Sequence, residues 1–384
     1  MKSPLTNRLR KQTPINKTAI KYMTANKLNF THMKKITTIL AIFLVVLSCS
    51  KNDEATPIPA KTTTIYAAGS GFATSGKQVA KYWENGVAKD ITNGVFNASL
   101  SSIAVASNGD VYALGIEWNA TVPIPKYWKN GVPTILPTTH PDISSQTTSR
   151  TTDIAISGND VYVSGNVKLD NDNYLATYWK NGVENYLSSP NDDSYTTAIA
   201  VVNNEVYVTG YEFNGTIRKS LIWINGVVND VTTGTSDSYI SGIVLVGTKI
   251  YLSGNETIAG ERFAVYWVKD TAVAGSSFVA YNLSGDKGIA QAITALGTDV
   301  YISGTESIST KYWKIDASGN KTVTILTNSG GDCDANNIFA YENDIYTKTF
   351  EDGIGTKYWK NNTQITSIPT LTDNRINGIF VTSK

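Results

Sequence analysis

The side chains of this sequence that could bind a metal ion or catalyse a reaction are mainly carboxylates, and several of these lie together in short polar segments. The groups are Asp170-Asn171-Asp172-Asn173, Asn191-Asp192-Asp193 and Asp332-Cys333-Asp334. Ca²⁺ takes six to eight oxygen ligands, so each group is a candidate calcium site, although none has the spacing of a twelve-residue EF-hand loop. A solvated turn is the simpler interpretation. We therefore expect no cofactor, with calcium as the alternative.

Residues typical of catalysis are sparse. His140, in the segment His140-Pro141-Asp142, is one of two histidines in the sequence. The sequence has no His/Cys cluster typical of zinc, no Gly-x-Ser-x-Gly elbow and no Gly-rich phosphate loop. Cleavage of glycans by paired carboxylates stays an alternative, with acids such as Asp142, Asp192 or Asp332.

Trp118 differs from the other seven tryptophans because it lies outside the motif in which they recur. It is a candidate for stacking on a sugar or peptide, and capping of a sheet is the competing interpretation. The full set of candidate ligand-binding residues is Trp118, His140, Asp142, Asp170, Asp172, Asp192, Asp193, Tyr195, Tyr239, Asp332 and Asp334.

Self-similarity indicates the elements that must position these residues. A unit that contains an isoleucine, a tyrosine and a tryptophan in this order recurs through residues 63–384 with a period of about 46 residues. The recurring tryptophans are Trp83, Trp128, Trp179, Trp223, Trp267, Trp313 and Trp359. Because one tryptophan is present per unit, we expect these side chains to fill the space between units as a structural core.

The residue pattern of each unit predicts four short strands, A to D. Asp153-Ile154-Ala155-Ile156 is typical of strand A, the segment from Asp160 to Gly165 of strand B, and Tyr178-Trp179 of strand C. An Asn-Gly pair, a strong signal for a two-residue hairpin, then leads into strand D. A period of 40–50 residues with four strands predicts a β-propeller.

The ends of the repeat region predict how the ring closes. The first unit begins at a B-type strand, Thr64-Ile65-Tyr66, and the chain finishes with an A-type strand, Gly378-Ile379-Phe380-Val381. We therefore predict an all-β, seven-bladed β-propeller with four antiparallel strands per blade, closed by the C-terminal strand joining the N-terminal blade. Such closure removes exposed sheet edges.

The Tyr-Trp-x-Asn-Gly units resemble the HAF-type extracellular repeats of bacterial surface proteins. The resemblance covers about 320 residues, but the Leu-Gly that often follows in those repeats is missing. The last three units also depart from it, as in Tyr266-Trp267-Val268. The resemblance implies an exported repeat protein and names no activity.

The four-strand pattern places A–B and C–D turns on one face, here the turn face, and B–C and D–A connections on the other, the loop face. The A–B turns are minimal, whereas long loops are expected at 116–125, 166–175, 137–151, 188–196 and 328–336. Binding residues collect on such loops, so the loop face is the expected ligand face.

A hydrogen-bonding residue precedes each strand A isoleucine by two positions. The seven residues are Ser101, Thr152, Thr197, Ser241, Gln291, Asn336 and Asn377. Satisfying backbone groups where blades converge is the favoured interpretation, and a ring that holds water, an ion or a hydroxylated ligand is the alternative.

The charge distribution argues against a nucleic-acid partner. Residues 1–49 contain nine of the 33 Lys/Arg and no Asp or Glu, so the remainder has 24 basic and 32 acidic residues. Nucleic-acid affinity depends on neutralising phosphates, which an acidic body does poorly.

The N-terminal region has the pattern of an export signal. Met33-Lys34-Lys35 is followed by an apolar run from Ile36 to Leu47. A basic start and an apolar stretch of 7–15 residues are typical of a signal peptide, and twelve helical residues are too short to span a bilayer. Residues 1–32 are expected to be an upstream extension absent from the mature protein, with a transit peptide as the alternative.

Val46-Leu47-Ser48-Cys49 resembles the lipobox of bacterial lipoproteins. The resemblance implies cleavage after residue 48, with 33–48 as signal peptide, lipidation of Cys49 and a tether over 49–62. The acidic start of that tether, Asn52-Asp53-Glu54, is similar to surface-export tags of Bacteroidetes lipoproteins. An outer-membrane location is therefore expected, with the cell surface as one possibility and an ordinary signal peptide as the alternative.

These features together predict a lipid-anchored, exported propeller that acts as a binding or interaction scaffold, most simply as a monomer. Its expected partners are the membrane, through the lipid, and a glycan or protein ligand. A glycan-cleaving propeller enzyme and a structural component of an envelope complex are the alternatives.

The lipobox resemblance generates the first prediction. Cys49→Ser removes the acceptor thiol, and we expect the protein to leave the membrane fraction, because several acyl chains on one residue hold a protein to a bilayer. Fractionation followed by immunoblotting measures this. A variant that still sediments with membranes would contradict lipidation at Cys49.

Overall fold

The computed structural model describes residues 62–120, 122–141, 150–328, 333–366 and 375–383. The chain divides into the units Met1–Ala60 and Lys61–Lys384. The signal segment, Cys49, Asp142 and Asp332 lie outside the described residues. The described part consists of 28 strands and their connections, and it contains no helix long and apolar enough to cross a membrane.

The strands form seven four-stranded antiparallel sheets. The A strands are β4 (Ala98–Val105), β8 (Arg150–Ser157), β12 (Ser194–Val202), β16 (Ser238–Val246), β20 (Gly288–Leu296), β24 (Cys333–Tyr341) and β28 (Arg375–Ser383). The B strands are β1 (Thr63–Phe72), β5 (Val111–Asn119), β9 (Asp160–Lys168), β13 (Glu205–Phe213), β17 (Lys249–Ile258), β21 (Asp299–Glu306) and β25 (Asp344–Glu351).

The C strands are β2 (Gln78–Glu84), β6 (Val122–Lys129), β10 (Tyr174–Lys180), β14 (Arg218–Ile224), β18 (Glu261–Asp270), β22 (Ser309–Ile315) and β26 (Gly355–Lys360). The D strands are β3 (Val87–Asp90), β7 (Val132–Ile135), β11 (Val183–Tyr186), β15 (Val227–Asp230), β19 (Val279–Asn282), β23 (Lys321–Asn328) and β27 (Thr363–Gln364).

The ring is closed by the two ends of the described chain. β28 pairs antiparallel with β1, with Ala67 opposite Ile379, and forms blade 1 with β1, β2 and β3. Each A strand packs against the A strand of the next blade, and β28 lies between β24 and β4. The fold is therefore the predicted seven-bladed β-propeller, in which blades 2 to 7 follow in chain order.

The hydrophobic core lies between blades. Seven clusters of buried side chains each join residues of two adjacent blades, and each contains one of the seven repeat tryptophans. Trp179 is fully buried between blades 2 and 3, and its Nε1 donates a hydrogen bond to the carbonyl oxygen of Pro137 at 2.8 Å. The repeat tryptophans are thus structural.

Strand B has a glycine beneath the tryptophan in six blades: Gly69, Gly115, Gly165, Gly210, Gly254 and Gly304. A Cβ on Gly210 would lie 1.9 Å from the carbonyl oxygen of Tyr195 and 2.8 Å from Cζ3 of Trp223. The indole ring and strand A approach the backbone so closely that only glycine fits.

Blade 7 has Thr349 in place of this glycine, and both the contact of its tryptophan and the β-bulge in its strand A differ from those of the other blades. The indole Nε1 of Trp359 donates to Thr349 Oγ1 at 2.9 Å, and the β-bulge in strand A contains two residues, Ala335 and Asn336, where the other blades have one. The neighbouring Lys348 is buried, and its Nζ donates to the Ile376 carbonyl oxygen of blade 1 at 2.7 Å. Burial lowers the pKa of Lys348 to about 8.

A β-bulge interrupts the A–B pairing of every blade. Each bulge contains one of the seven polar residues that precede the strand A isoleucines. Ser241 Oγ donates to the Ala290 carbonyl oxygen at 2.8 Å, and Asn377 Nδ2 donates to that of Leu100 at 2.7 Å. In both cases the polar side chain satisfies a carbonyl of the following blade.

The turn face is fixed by the Trp-Lys-Asn-Gly hairpins. Asn130 has a φ of 49°, as the hairpin requires, and its Oδ1 accepts a hydrogen bond from Val111 N at 2.9 Å. Its Nδ2 donates to Asp110 Oδ1 at 2.7 Å, and Lys129 Nζ lies 2.9 Å from Asp110 Oδ2. The same contacts recur around Asp160 and Asp344. The A–B turn acids thus bind the C–D hairpins.

Gly210→Ala is expected to destabilise the protein by ~2–3 kcal/mol or more, because overpacking beside a backbone carbonyl has no flexible side chain to displace. Urea unfolding measures the change. Thr349→Ser is the matched control, since it keeps the Cβ that blade 7 already accommodates and the hydroxyl that accepts from Trp359 Nε1, and its loss should be smaller. Equal losses for the two variants would contradict this account of the glycines.

Acid should weaken the turn-face contacts. The hydrogen bond from Lys129, followed by those from Asn130 and Asn108, lowers the pKa of Asp110 to about 2. A lowered carboxyl pKa stabilises the fold above the ordinary value near 4 and loses that contribution as pH falls towards about 2. Asp110→Asn should therefore unfold at a lower urea concentration at neutral pH and converge with the wild type near pH 2. A difference independent of pH would contradict an ionic role.

Candidate functional site

The loop face is built mainly from extended hairpins. The expectation of long B–C loops at 116–125 and 166–175 was wrong, because strands B and C keep pairing there: Trp118 lies opposite Pro123 and Leu175 opposite Val167. Continued pairing satisfies backbone groups that a loop would leave to water. Two regions of this face, the Trp118 pocket and the tyrosine ribbon, hold aromatic side chains around open space.

The Trp118 pocket lies between blades 2 and 3 and has a volume of about 390 Å³. Its apolar wall includes Leu100, Ile116, Trp118 and Pro123, and its polar lining is Ser99, Ser101, Arg150, Thr151 and Asn377. This volume lies at the lower end of the range for small-molecule sites.

The blade 2 hairpin positions this apolar wall. Opposed residues of an antiparallel pair share a face, so Ile116 and Trp118 lie on the same side as Pro125 and Pro123. The Trp118 N–H donates to the Asn97 carbonyl oxygen at 2.8 Å, which ties the hairpin to the preceding D–A connection. Proline rings and an indole on one face form a rigid apolar surface.

Arg150 is the only ionisable residue among the described residues that line the pocket. Its side chain is exposed, and no described carboxylate forms an ion pair with it. Glu117 on the same hairpin lies on the opposite face, where its Oε2 lies 2.6 Å from Lys126 Nζ. Among the described residues, the charge of Arg150 is therefore not neutralised by an ion pair.

The tyrosine ribbon consists of Tyr174, Tyr195, Tyr211 and Tyr239, and crosses blades 3, 4 and 5. Successive ring centroids lie 4.9, 4.9 and 5.7 Å apart. All four side chains are partly exposed. Burial raises the pKa of Tyr211 to about 12 and also raises that of Tyr195 and Tyr239, so these phenols stay protonated and neutral.

Arg218 lies against the ribbon, 5.9 Å from the Tyr211 centroid and 5.5 Å from that of Tyr239. Its Nε donates to Asp237 Oδ1 at 2.9 Å, its Nη2 pairs with the other carboxylate oxygen, and this contact lowers the pKa of Asp237. The ion pair is bidentate and internally neutral.

Two recesses flank Arg218. One, of about 400 Å³, is lined by Tyr195, Tyr211, Phe213, Thr216 and Asp237. The other, of about 310 Å³, includes Tyr239, Ser241, Asn255, Gln291 and Asn336 in its lining. Aromatic rings, hydroxyls and amides therefore meet around a neutral ion pair, and Arg262 adds an exposed, positively charged side chain to the smaller recess.

Two of the predicted acidic candidates, Asp192 and Asp193, line one recess of about 310 Å³ together with Glu212 and Lys219, and the other described candidates are not part of its lining. Asp193 accepts from Tyr174 N at 2.9 Å and Tyr195 Oη at 3.3 Å, so it positions the ribbon. Asp334 accepts from Gln291 Nε2 at 2.9 Å. Asp170, Asp172 and Asp192 are exposed, and Asp172 pairs with Lys168 at 2.6 Å. No three described His, Cys, Asp or Glu residues form a metal-binding group.

His140 lies apart from both regions. Its ring is 4.9 Å from the ring of Tyr186 in an edge-to-face arrangement, and Tyr186 belongs to the outer strand of blade 3. Of the predicted candidates, Trp118 lines the Trp118 pocket, Tyr195 and Tyr239 line the recesses beside Arg218, and Asp192 and Asp193 line the recess that contains Glu212. Asp142 and Asp332 lie outside the described residues.

Sequence reasoning missed Arg150, Arg218, Tyr174 and Tyr211. Strand periodicity gave a usable signal for the tyrosines, because Tyr195 and Tyr211 are opposed in the register of β12 and β13. The roles of the arginines depend on which carboxylates lie near them, and the sequence does not give those distances.

No protein-family model matches the chain, and a search of curated proteins found no relative. Among solved structures the chain is similar to a prolyl endopeptidase, with 10% identity, a TM-score of 0.49 and coverage of 80% of this chain and 47% of that one. It is also similar to puromycin hydrolase, with 9% identity, a TM-score of 0.56 and coverage of 82% and 52%.

A putative 6-phosphogluconolactonase from Bacteroides fragilis has 9% identity and a TM-score of 0.46, with coverage of 83% of this chain and 98% of that one. The chain spans about half the length of the first two structures. At these identities the likeness concerns the β-propeller fold alone.

Proposed function

We propose that this protein is a lipid-anchored propeller of the cell envelope that binds a neutral glycan on its loop face. The tyrosine ribbon with its flanking recesses is the observation that carries the proposal. The export signal and the lipobox resemblance of Cys49 support the location.

The chemistry of the ribbon favours a glycan. Sugar rings present apolar C–H faces and many hydroxyls, and the lining offers tyrosine rings together with Ser241, Asn255 and Gln291. Arg218 is neutralised by Asp237, and these two are the charged side chains in the lining of the larger recess. A charged ligand therefore gains little in the larger recess, whereas Arg262 lines the smaller one. An uncharged polyhydroxylated ligand matches both the aromatic and the polar groups.

The surrounding contacts fix the ribbon before a ligand arrives. Tyr195 is held between two other rings and by Asp193, while Arg218 is held by both oxygens of Asp237. Groups that are already ordered lose little entropy on binding. The ribbon thus acts as a preformed platform.

Binding is favoured over glycan cleavage by the state of the ribbon carboxylates. A glycosidase needs one carboxyl as acid and another as base or nucleophile. Asp237 is ion-paired with Arg218, which lowers its pKa, and Asp193 accepts hydrogen bonds from two ribbon residues. Both are engaged in positioning ribbon side chains.

Tyr211→Ala is expected to weaken glycan binding about tenfold, equivalent to ~1.4 kcal/mol, because it removes a central ring of the platform. The binding experiment can use the chain from Ser50 onward, because all described strand pairings and core clusters lie within 63–383. A neutral-glycan array, followed by calorimetry on the best ligand, measures the effect.

Tyr281→Ala is the control. Tyr281 is also a ring-stacked tyrosine, 5.0 Å from Tyr266, but it lies on outer strand β19, away from the ribbon. It should leave affinity unchanged, and affinity should vary little with salt. Binding insensitive to Tyr211→Ala, or an array that selects only charged glycans, would overturn the proposal.

A further inference from the structure

We propose that the Trp118 pocket is a second, chemically distinct subsite, which takes an apolar group carrying a carboxylate. The inference deepens the proposed function, since it assumes that the loop face is the ligand-binding face. It differs from the ribbon site in ligand charge and location.

The apolar part of the ligand is indicated by the pocket wall. Leu100, Ile116, Trp118 and Pro123 line one side of a space of about 390 Å³, and the indole and proline belong to opposed positions of one hairpin. A water molecule takes about 30 Å³ in the liquid, so the pocket admits a phenyl-sized group and a few further atoms. That size suits a small acid or one terminal residue of a longer chain.

The anionic part is indicated by Arg150. Its guanidinium is exposed at the pocket without a described carboxylate partner, in a body that carries 24 basic and 32 acidic residues beyond residue 49. A planar guanidinium binds a carboxylate through two parallel hydrogen bonds. Arg150 thus provides a local positive charge for an anion in a body whose net charge is negative.

The polar lining completes the carboxylate environment. Ser99, Ser101 and Thr151 bring hydroxyl groups to the pocket, and Ser101 Oγ lies 3.4 Å from Thr151 Oγ1. Hydroxyl groups can turn to donate to a bound carboxylate. The lining thus places donors beside an apolar wall, as an amphipathic anion requires.

The ribbon provides the contrast within the same molecule. There Arg218 is paired with Asp237 at 2.9 Å, whereas Arg150 at the Trp118 pocket forms no ion pair with a described carboxylate and the hairpin acid Glu117 is paired with Lys126 on the other side. The larger ribbon recess therefore favours a neutral ligand and the Trp118 pocket an anionic one, while Arg262 lines the smaller ribbon recess.

The test uses 4-fluorophenylacetate and 4-fluorophenylacetamide, which have the same ring and differ in charge. We expect ¹⁹F NMR titration of the chain from Ser50 onward to show the carboxylate binding about tenfold more tightly than the amide. Arg150→Gln should abolish that preference, and added salt should reduce it. Trp118→Ala should abolish binding of both probes, and Trp118→Phe should restore part of it.

Arg262→Gln is the matched control, since Arg262 is an exposed loop-face arginine that lines a ribbon recess, and it should change neither titration. A third probe, an acetylated Gly-Gly-4-fluorophenylalanine with a free carboxylate, distinguishes a peptide terminus from a small acid. Tighter binding than that of 4-fluorophenylacetate indicates a peptide terminus, and weaker binding indicates a small acid. Equal binding of acid and amide, or a carboxylate preference that survives Arg150→Gln, would overturn the inference.

Failure of this proposal is distinguishable from failure of the proposed function. Tyr211→Ala should leave the ¹⁹F titrations unchanged, and Arg150→Gln should leave neutral-glycan binding unchanged. Loss of both readouts in one variant that remains folded by circular dichroism would contradict two separate subsites.

Discussion

The packing of one tryptophan against one glycine, repeated between blades, is the contact on which the rest of this propeller depends. In six blades the indole fills the wedge between adjacent sheets above a strand position that has no side chain: a Cβ on Gly165 would lie 2.9 Å from Cζ3 of Trp179 and 2.4 Å from the Arg150 carbonyl oxygen. That close approach brings strand A against strand B and accompanies the β-bulge at the channel. Blade 7 shows the coupling, since Thr349 replaces the glycine where the bulge is wider.

The two faces of the ring are stabilised in different ways, and this difference leaves one of them open to ligands. On the turn face, carboxylates such as Asp110 each bind a lysine and an asparagine of the adjoining hairpin, so the polar groups are used within the blade. On the loop face, strands B and C keep pairing beyond the packed core, as in blades 2 and 3. Aromatic residues placed there have a rigid base and partial exposure, a combination suited to binding.

Charge separates the two candidate regions of the loop face. Arg218 and Asp237 neutralise one another within the tyrosine ribbon, so under the proposed function stacking and hydrogen bonding dominate at the larger recess beside them. Arg150 stands beside an apolar wall without a described counter-ion, so attraction of an anion adds to burial of an apolar group. Seven blades of one repeated pattern therefore carry two distinct surfaces, because the loop-face residues differ from blade to blade while the glycine beneath the tryptophan recurs in six of them.

The sequence by itself determined the architecture. The regular spacing of Trp179 and its counterparts, the Asn-Gly hairpins, and the A-type strand around Ile379 predicted seven blades and their closure, because each is a local pattern with a single geometric solution. It also marked Trp118 as the tryptophan outside the repeat. Only the tertiary structure decided that Trp118 shares a pocket with Arg150, that Tyr211 joins Tyr195 and Tyr239 in one ribbon, and that His140 lies apart from both. These groupings depend on distances across blade boundaries and on which carboxylate reaches which arginine, and residues far apart in the chain carry no local signal of either.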